Sequence, residues 1–198
     1  VTDGTYSASQ VLSLIVNVDY LNINVNDVAS TITSKGRIGY NSYWQQQGVG
    51  LLYKGDGPFL YESSLMLGVS ATKVSDGVRG TGSTPDNDFV SLVRVQKIPN
   101  VISDFDIDGK FNDNGVSGLN KLNVIVHHNT YAWTSAAEKK YIMFKYVIKN
   151  NGVATLNNLY AGVYADLDAD GSTYSSNRIG YDASNRMGYT YYSTGTKP

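Results

Sequence analysis

Cysteine is absent from the chain, which excludes disulfide staples and any thiolate metal centre. Histidine is nearly absent too: His127 and His128 are the only two. Neighbouring residues on a strand point to opposite faces, so this pair cannot ligate one metal together, and one packed and one exposed ring is expected. No apolar run approaches the ~20 residues needed to cross a bilayer as a helix. With a formal net charge of −1 and no basic cluster, the chain also lacks the means to neutralise nucleic-acid phosphates.

Catalytic motifs are missing as well. There is no phosphate-cradling glycine loop opening a helix and no G-x-S-x-G elbow. A glycosidase needs two carboxyls about 5–10 Å apart across a cleft, and the many aspartates permit that pair without marking it. The reading is therefore non-enzymatic. The chain begins at Val1 without a basic segment and apolar core of a leader, and is read as processed or as a fragment of a longer protein.

What remains is distinctive. Tyrosine occurs 16 times and glycine 20 times. Glu62 and Glu138 are the only glutamates among 17 acids, so the other fifteen are aspartates. Asp, Asn and Gly stabilise turns, while Tyr, Val, Ile and Thr fit pleated sheets, so the fold class is all-β. Apolar residues alternate from Val11 to Val25, with a change of phase between Tyr20 and Leu21 that predicts a bulge or tight bend. Strand-like runs follow around Lys35-Gly36 and through Gly48 to Gly80, with Asp56-Gly57 and Asp76-Gly77 as turn dipeptides and Leu65–Val69 as a buried strand. Gly80 to Asp88 reads as a polar surface loop. Further strands are expected over Phe89–Ile98, Asn123–Trp133 and Arg178–Tyr192. The spacing predicts an antiparallel β-sandwich, jelly-roll-like, in a single domain over residues 1–198, with residues 1–27 as an added strand region.

The stretch Tyr141–Asp182 carries the sharpest pattern. Ile142, Phe144, Tyr146 and Ile148 alternate with Lys145 and Lys149, and a turn at Asn150-Asn151-Gly152 leads to a second strand, predicting a central ribbon. In that second strand Tyr160, Gly162, Tyr164, Asp166 and Asp168 share one face. Asp166, Asp168, Asp170 and Gly171 form D-x-D-x-D-G, like the opening of a calcium loop. Position twelve is Asn177 and not a bidentate Glu, which excludes an ordinary EF-hand. A second D-x-D-x-D-G contains Asp104, Asp106 and Asp108. Carboxylates two apart on a strand lie about 7 Å from one another and repel by roughly 2.4 kcal/mol at an effective dielectric of about 20, so a hard cation is favoured where such a loop is partly buried.

The order of motifs GRIGY, GVGLLY, FLYESSLMLGVS, VSDGVRG, VHHNTYAW, YIMFKYVIKNNG, LYAGVYADLDAD and NRIGYDASNRMGYTYY, from Ser30 to Tyr192, resembles a β-rich accessory region. Such regions occur in large secreted proteins of Bacteroidota-type bacteria, often type IX secretion cargo and sometimes alongside subtilisin-like peptidase domains. The resemblance implies an extracellular or outer-surface module partnered by other domains of one parent protein. It also implies acids like Asp166 and Asp168, an Asn like Asn177 and an acid like Asp182 in the same order; Asp170 is particular to this chain. Calcium is accordingly expected at Asp166, Asp168, Asp170, Asn177 and Asp182, with Asp104, Asp106 and Asp108 as a second set.

Two other functions fit the composition. Trp133, Tyr191 and Tyr192 could offer flat rings to glycans, since adjacent Tyr191 and Tyr192 cannot both face inward in a regular strand. The Val11–Val25 strand could pair with copies of the same chain in a surface assembly or filament.

Overall fold

The computed structural model describes residues 4, 18–42, 47–80, 84–169 and 174–193. Among these there is no α-helix. Thirteen strands are present: β1 Tyr20–Ile23, β2 Val28–Thr33, β3 Arg37–Ile38, β4 Leu51–Tyr53, β5 Leu60–Ser70, β6 Lys73–Ser75, β7 Val90–Ile98, β8 Phe105–Asn112, β9 Val124–Ala132, β10 Ile142–Asn150, β11 Tyr160–Leu167, β12 Asn177–Asp182 and β13 Met187–Tyr192. All pairings are antiparallel. One sheet runs β1-β2-β3-β5-β11, with β4 also on β2 and β6 also on β5. The second runs β10-β9-β8-β7, and β12 pairs only with β13. The fold is an all-β antiparallel sandwich, as the strand spacing predicted.

Alternation explains how the two sheets close on one another. Phe111 of β8 and Val124 and Val126 of β9 point inward and meet Leu65 and Leu67 of β5, together with Phe89 and Leu122. A second cluster joins Ile23 and Ile32 to Val95, Ile107 and Ala132. Each large side chain buried this way contributes roughly 1.5–3 kcal/mol. His128 lies on the same inward face, 3 % exposed, while His127 on the opposite face is held by Asp108. Room for the buried imidazole comes from the adjacent strand: a Cβ at Gly109 would lie 2.4 Å from His128 Nε2.

Two carboxylates act as backbone clamps. Asp113 is fully buried and accepts the N–H groups of Leu122 (2.6 Å), Asn123 (3.0 Å) and Val124 (2.9 Å), and the Ser75 hydroxyl at 3.3 Å. Asp106, 1 % exposed, accepts the N–H groups of Val101, Ile102 and Ser103, each at 2.9 Å, and the Ser103 hydroxyl. Burial raises its pKa, and these hydrogen bonds outweigh burial so that the net shift is downward.

Several expectations need correction. Ile142, Phe144, Tyr146 and Ile148 do alternate with more exposed neighbours, but β10 and β11 are not a hairpin ribbon: β10 pairs with β9 and β11 with β5. Asn150-Asn151-Gly152 begins a crossover between sheets. Ser103–Gly115 is largely strand β8, because Phe105, Ile107 and Phe111 have a core to fill. Tyr20 and Leu21 pair in regular register with Thr33 and Ile32, without a bulge; the Val11–Asn17 part of that expected strand lies outside the described residues. The hairpin after β4 turns on Lys54 and Gly55, whose φ values of 52° and 88° suit a tight primed turn, and not on Asp56-Gly57.

Replacing Asp113 by Ala leaves the buried N–H groups of Leu122 and Val124 and the part-buried one of Asn123 without their acceptor, and a loss of about 2–4 kcal/mol is expected in urea unfolding. A second expectation concerns pH. Burial, the largest influence, lowers His128 to about 4, below the ~6.5 of an unfolded chain. The stability from keeping this ring neutral is complete above about pH 6.5 and lost as pH falls through about 4. The difference in stability between the native chain and His128→Leu should change by up to roughly 3 kcal/mol across that window; a constant difference would contradict the assignment.

Candidate functional site

The outward face of β5 and β11 carries the richest chemistry. Glu62 lies opposite Asp166 in the register, and two adjacent carboxylates repel unless a cation intervenes. Arg79 supplies it: Nε sits 2.7 Å from Glu62 Oε1 and Nη2 3.6 Å from Asp166 Oδ2. The guanidinium also stacks over Tyr61 at 4.4 Å from the ring centroid. The pairing shifts between Asp166 and Leu167, and the backbone N–H of Asp168 bonds to Phe59 O at 3.0 Å.

Beyond β11 the chain returns through a short 3-10 turn, Tyr174–Ser176, into β12. This return creates a groove of about 730 Å³ lined by Tyr61, Arg79, Tyr164, Asp166, Asp168, Tyr174, Asn177 and Ile179. Asn177 Nδ2 donates to Asp168 Oδ1 at 3.0 Å, while Asn177 Oδ1 is buried without a hydrogen-bond partner among the described residues. Burial, followed by the charge of Asp166, raises the Asp168 carboxyl above its ordinary value against the bond from Asn177. Burial also raises Tyr164, with Asp166 and Glu62 adding to it and Arg79 opposing, so its hydroxyl stays protonated and able to donate.

The structure therefore brings together three of the five residues of the expected calcium set. Asp166, Asp168 and Asn177 line one groove. Asp182 does not join them: it sits at the far end of β12, roughly 17 Å along an extended strand from Asn177. Its carboxylate caps the hairpin turn through Ser184 N at 2.9 Å, Asn185 N at 3.2 Å and Asn185 Nδ2 at 2.8 Å. Asp170 lies outside the described residues. The second triplet is not brought to one point either. Asp104 accepts from Thr134 N and Oγ1 at 2.8 and 2.7 Å, Asp106 clamps residues 101–103, and Asp108 takes His127 and Asn129 Nδ2.

The aromatic candidates separate too. Trp133 follows β9, half-buried between Tyr131 and Tyr141 at 6.3 and 5.6 Å between centroids, with Nε1 donating to Ile102 O. Tyr191 and Tyr192 lie on β13, both half-buried, with Tyr191 tilted against Tyr189 at 6.0 Å and Tyr192 opposite Asn177. They share no flat platform with Trp133, because β9 and β13 belong to different sheets.

Asp76, in an expected turn, and Asp86 and Asp88, in an expected surface loop, form a second acidic group. The carboxylates of Asp76, Asp86 and Asp88 approach within 4.8 Å of one another, the one such trio of metal-ligating side chains among the described residues. Asp76 Oδ1 accepts Val78 N at 2.9 Å, and Asp88 Oδ2 accepts Asp76 N at 3.1 Å. Arg37 braces the loop, donating to Gly77 O and Asp86 O at 2.5 and 3.0 Å. This oxygen set suits a hard divalent cation. A D-x-D spacing at Asp86 and Asp88 was the only trace of it in the sequence; the approach of Asp76 depends on the fold.

No family model matches this chain, and neither the curated proteins nor the solved structures compared with it gave a match.

Burial, then the charges of Asp86, Asp88 and Glu62, raise Asp76 to about 6, against the lowering bond from Val78. Between about pH 4 and 6 the folded chain retains a proton that the unfolded chain releases, so stability falls as pH rises through that window. In EDTA-treated protein, Asp76→Asn should be more stable than the native chain by about 1–2 kcal/mol at pH 7, after solvent screening, and by little below pH 4. Calcium chloride reverses that order if the trio holds the ion; unfolding midpoints with and without it measure both.

Proposed function

We propose that this chain is a non-catalytic accessory module of a secreted or cell-surface protein, and that the groove along β11 is its contact site. The observation that carries the reading is the meeting of Asp166, Asp168 and Asn177 with Tyr164 and Tyr174 along one open groove. A groove of this size, with a few convergent polar groups on a rigid sheet, is the usual form of a ligand site. The non-catalytic part is supported by how the two histidines are used. His128 is buried in the core, and His127 is engaged by Asp108. The extracellular part is supported by the order of sequence motifs alone. Association with other domains of one parent protein has the same support.

The lining favours a neutral saccharide. Carboxylates and a carboxamide can take sugar hydroxyls, tyrosine faces can take the ring C–H surface, and Arg79 already balances part of the acidic charge. The residues that serve this reading are not the Trp133, Tyr191 and Tyr192 expected from sequence. Calcium would support the module structurally at Asp76, Asp86 and Asp88, none of which lines the groove.

Calorimetry with cellohexaose, laminarihexaose and xylohexaose tests the saccharide. At least one should bind, and Tyr174→Ala and Asp168→Ala should each weaken it at least tenfold, about 1.4 kcal/mol. Tyr174 is 76 % exposed, so its loss leaves the fold intact. Failure of all three to bind, or binding indifferent to both substitutions, overturns the saccharide reading. Shortened saccharides in the mixture would overturn the non-catalytic one.

A further inference from the structure

We propose that β11 pairs with β11 of a second copy of this chain, antiparallel across a two-fold axis centred on Val163. The inference rests on the fold.

Among the described residues β11 is the outermost strand of its sheet and has one partner, β5. Its other edge therefore presents main-chain N–H and C=O groups that no neighbouring strand among the described residues uses. Such an edge is a template for another strand unless charge, proline or a bulge blunts it. Between Leu159 and Ala165 there is no charge and no proline, and the one irregularity falls later, between Asp166 and Leu167. Both faces are open as well. Ala161, Val163 and Ala165 continue the inward row of Leu65 and Leu67, yet all three are exposed, Val163 to 51 %. On the other face Tyr160 is 72 % exposed, and a Cβ at Gly162 would meet nothing within 4 Å. The strand thus has the residues of a covered strand without the cover.

Charge and pattern select a second copy as the occupant. With Val163 opposite Val163, Ala161 lies opposite Ala165, Gly162 opposite Tyr164, and Tyr160 opposite Asp166. The small apolar residues of both copies then share one face, extending the inward row across the axis. The acidic ends, Asp166 and Asp168, are carried to opposite ends of the joined ribbon, where each meets uncharged Tyr160 and Asn158 and not another carboxylate. An isologous contact of this kind closes at two copies. Tyr164 and Asp166, which line the groove, lie within the paired stretch. One strand per copy is a small interface, so the dimer is expected to be weak, with Kd in the micromolar range.

Sedimentation equilibrium over a concentration series from low micromolar to several hundred micromolar tests this. The mass should rise from 21.6 kDa toward twice that value. Val163→Lys, which sets two like charges across the axis, should stay monomeric at every concentration with an unchanged unfolding midpoint. Because the chain has no cysteine, a single thiol reports the register without background. Under mild oxidation Val163→Cys should give a covalent dimer, and Ala161→Cys, placed opposite Ala165, should give far less. A monomer throughout, growth past the dimer, a Val163→Lys chain that still dimerises, or equal cross-linking by the two cysteine variants would each overturn the proposal.

Discussion

The contact between β5 and the β8–β9 pair holds the rest of the molecule in place. Leu65 and Leu67 on one side and Phe111, Val124 and Val126 on the other form the largest buried cluster among the described residues. Everything polar nearby is arranged so as not to disturb it. Asp113 gathers the amides that lead into β9, Ser64 donates to Gly36 O, and His128 is accepted into the apolar layer in its neutral form, against Phe111 and Tyr146. Buried polar groups are tolerated when they are bonded, and the clamps show how a chain rich in aspartate can bury several of them.

The same contact leaves one strand outside. β5 is covered from the second sheet, but β11, one strand farther out, overhangs that sheet. Its apolar row is exposed, its outer edge has no strand beside it among the described residues, and β12 and β13 form a separate hairpin. Both the groove and the open edge arise from this overhang. The charges respect it: Glu62, Arg79 and Asp166 form one line across the outward face, and Arg37 and the Asp76–Asp86–Asp88 group continue it, with Glu62 acting on both.

Much of the fold was legible in the chain. The alternation in Ile142–Ile148, the strand over Val124–Ala132 and the opposite facing of His127 and His128 follow from a period of two and need no knowledge of partners. What could not be read was which strand pairs with which. Asn150-Asn151-Gly152 has the composition of a hairpin turn, yet β10 and β11 enter different sheets, because β11 finds Leu65 and Leu67 of a strand ninety-odd residues earlier. Site residues show the same limit. Asp166, Asp168 and Asn177 are near in sequence and were found. Arg79, Tyr61 and the approach of Asp76 to Asp86 and Asp88 depend on long-range pairing and were not. Asp104, Asp106 and Asp108 look like a cation loop because spacing alone does not tell a carboxylate offered to an ion from one spent on backbone amides.

Among the described residues β11 is the open edge of the sandwich. Amide hydrogen exchange on the chain at low micromolar concentration, resolved residue by residue, tests it most directly. Amides of β8 and β9 should be slow throughout, whereas along β11 slow amides, bonded to β5, should alternate with fast ones facing outward. Uniform protection along β11 equal to that of β9, or no protection at all, would contradict the account.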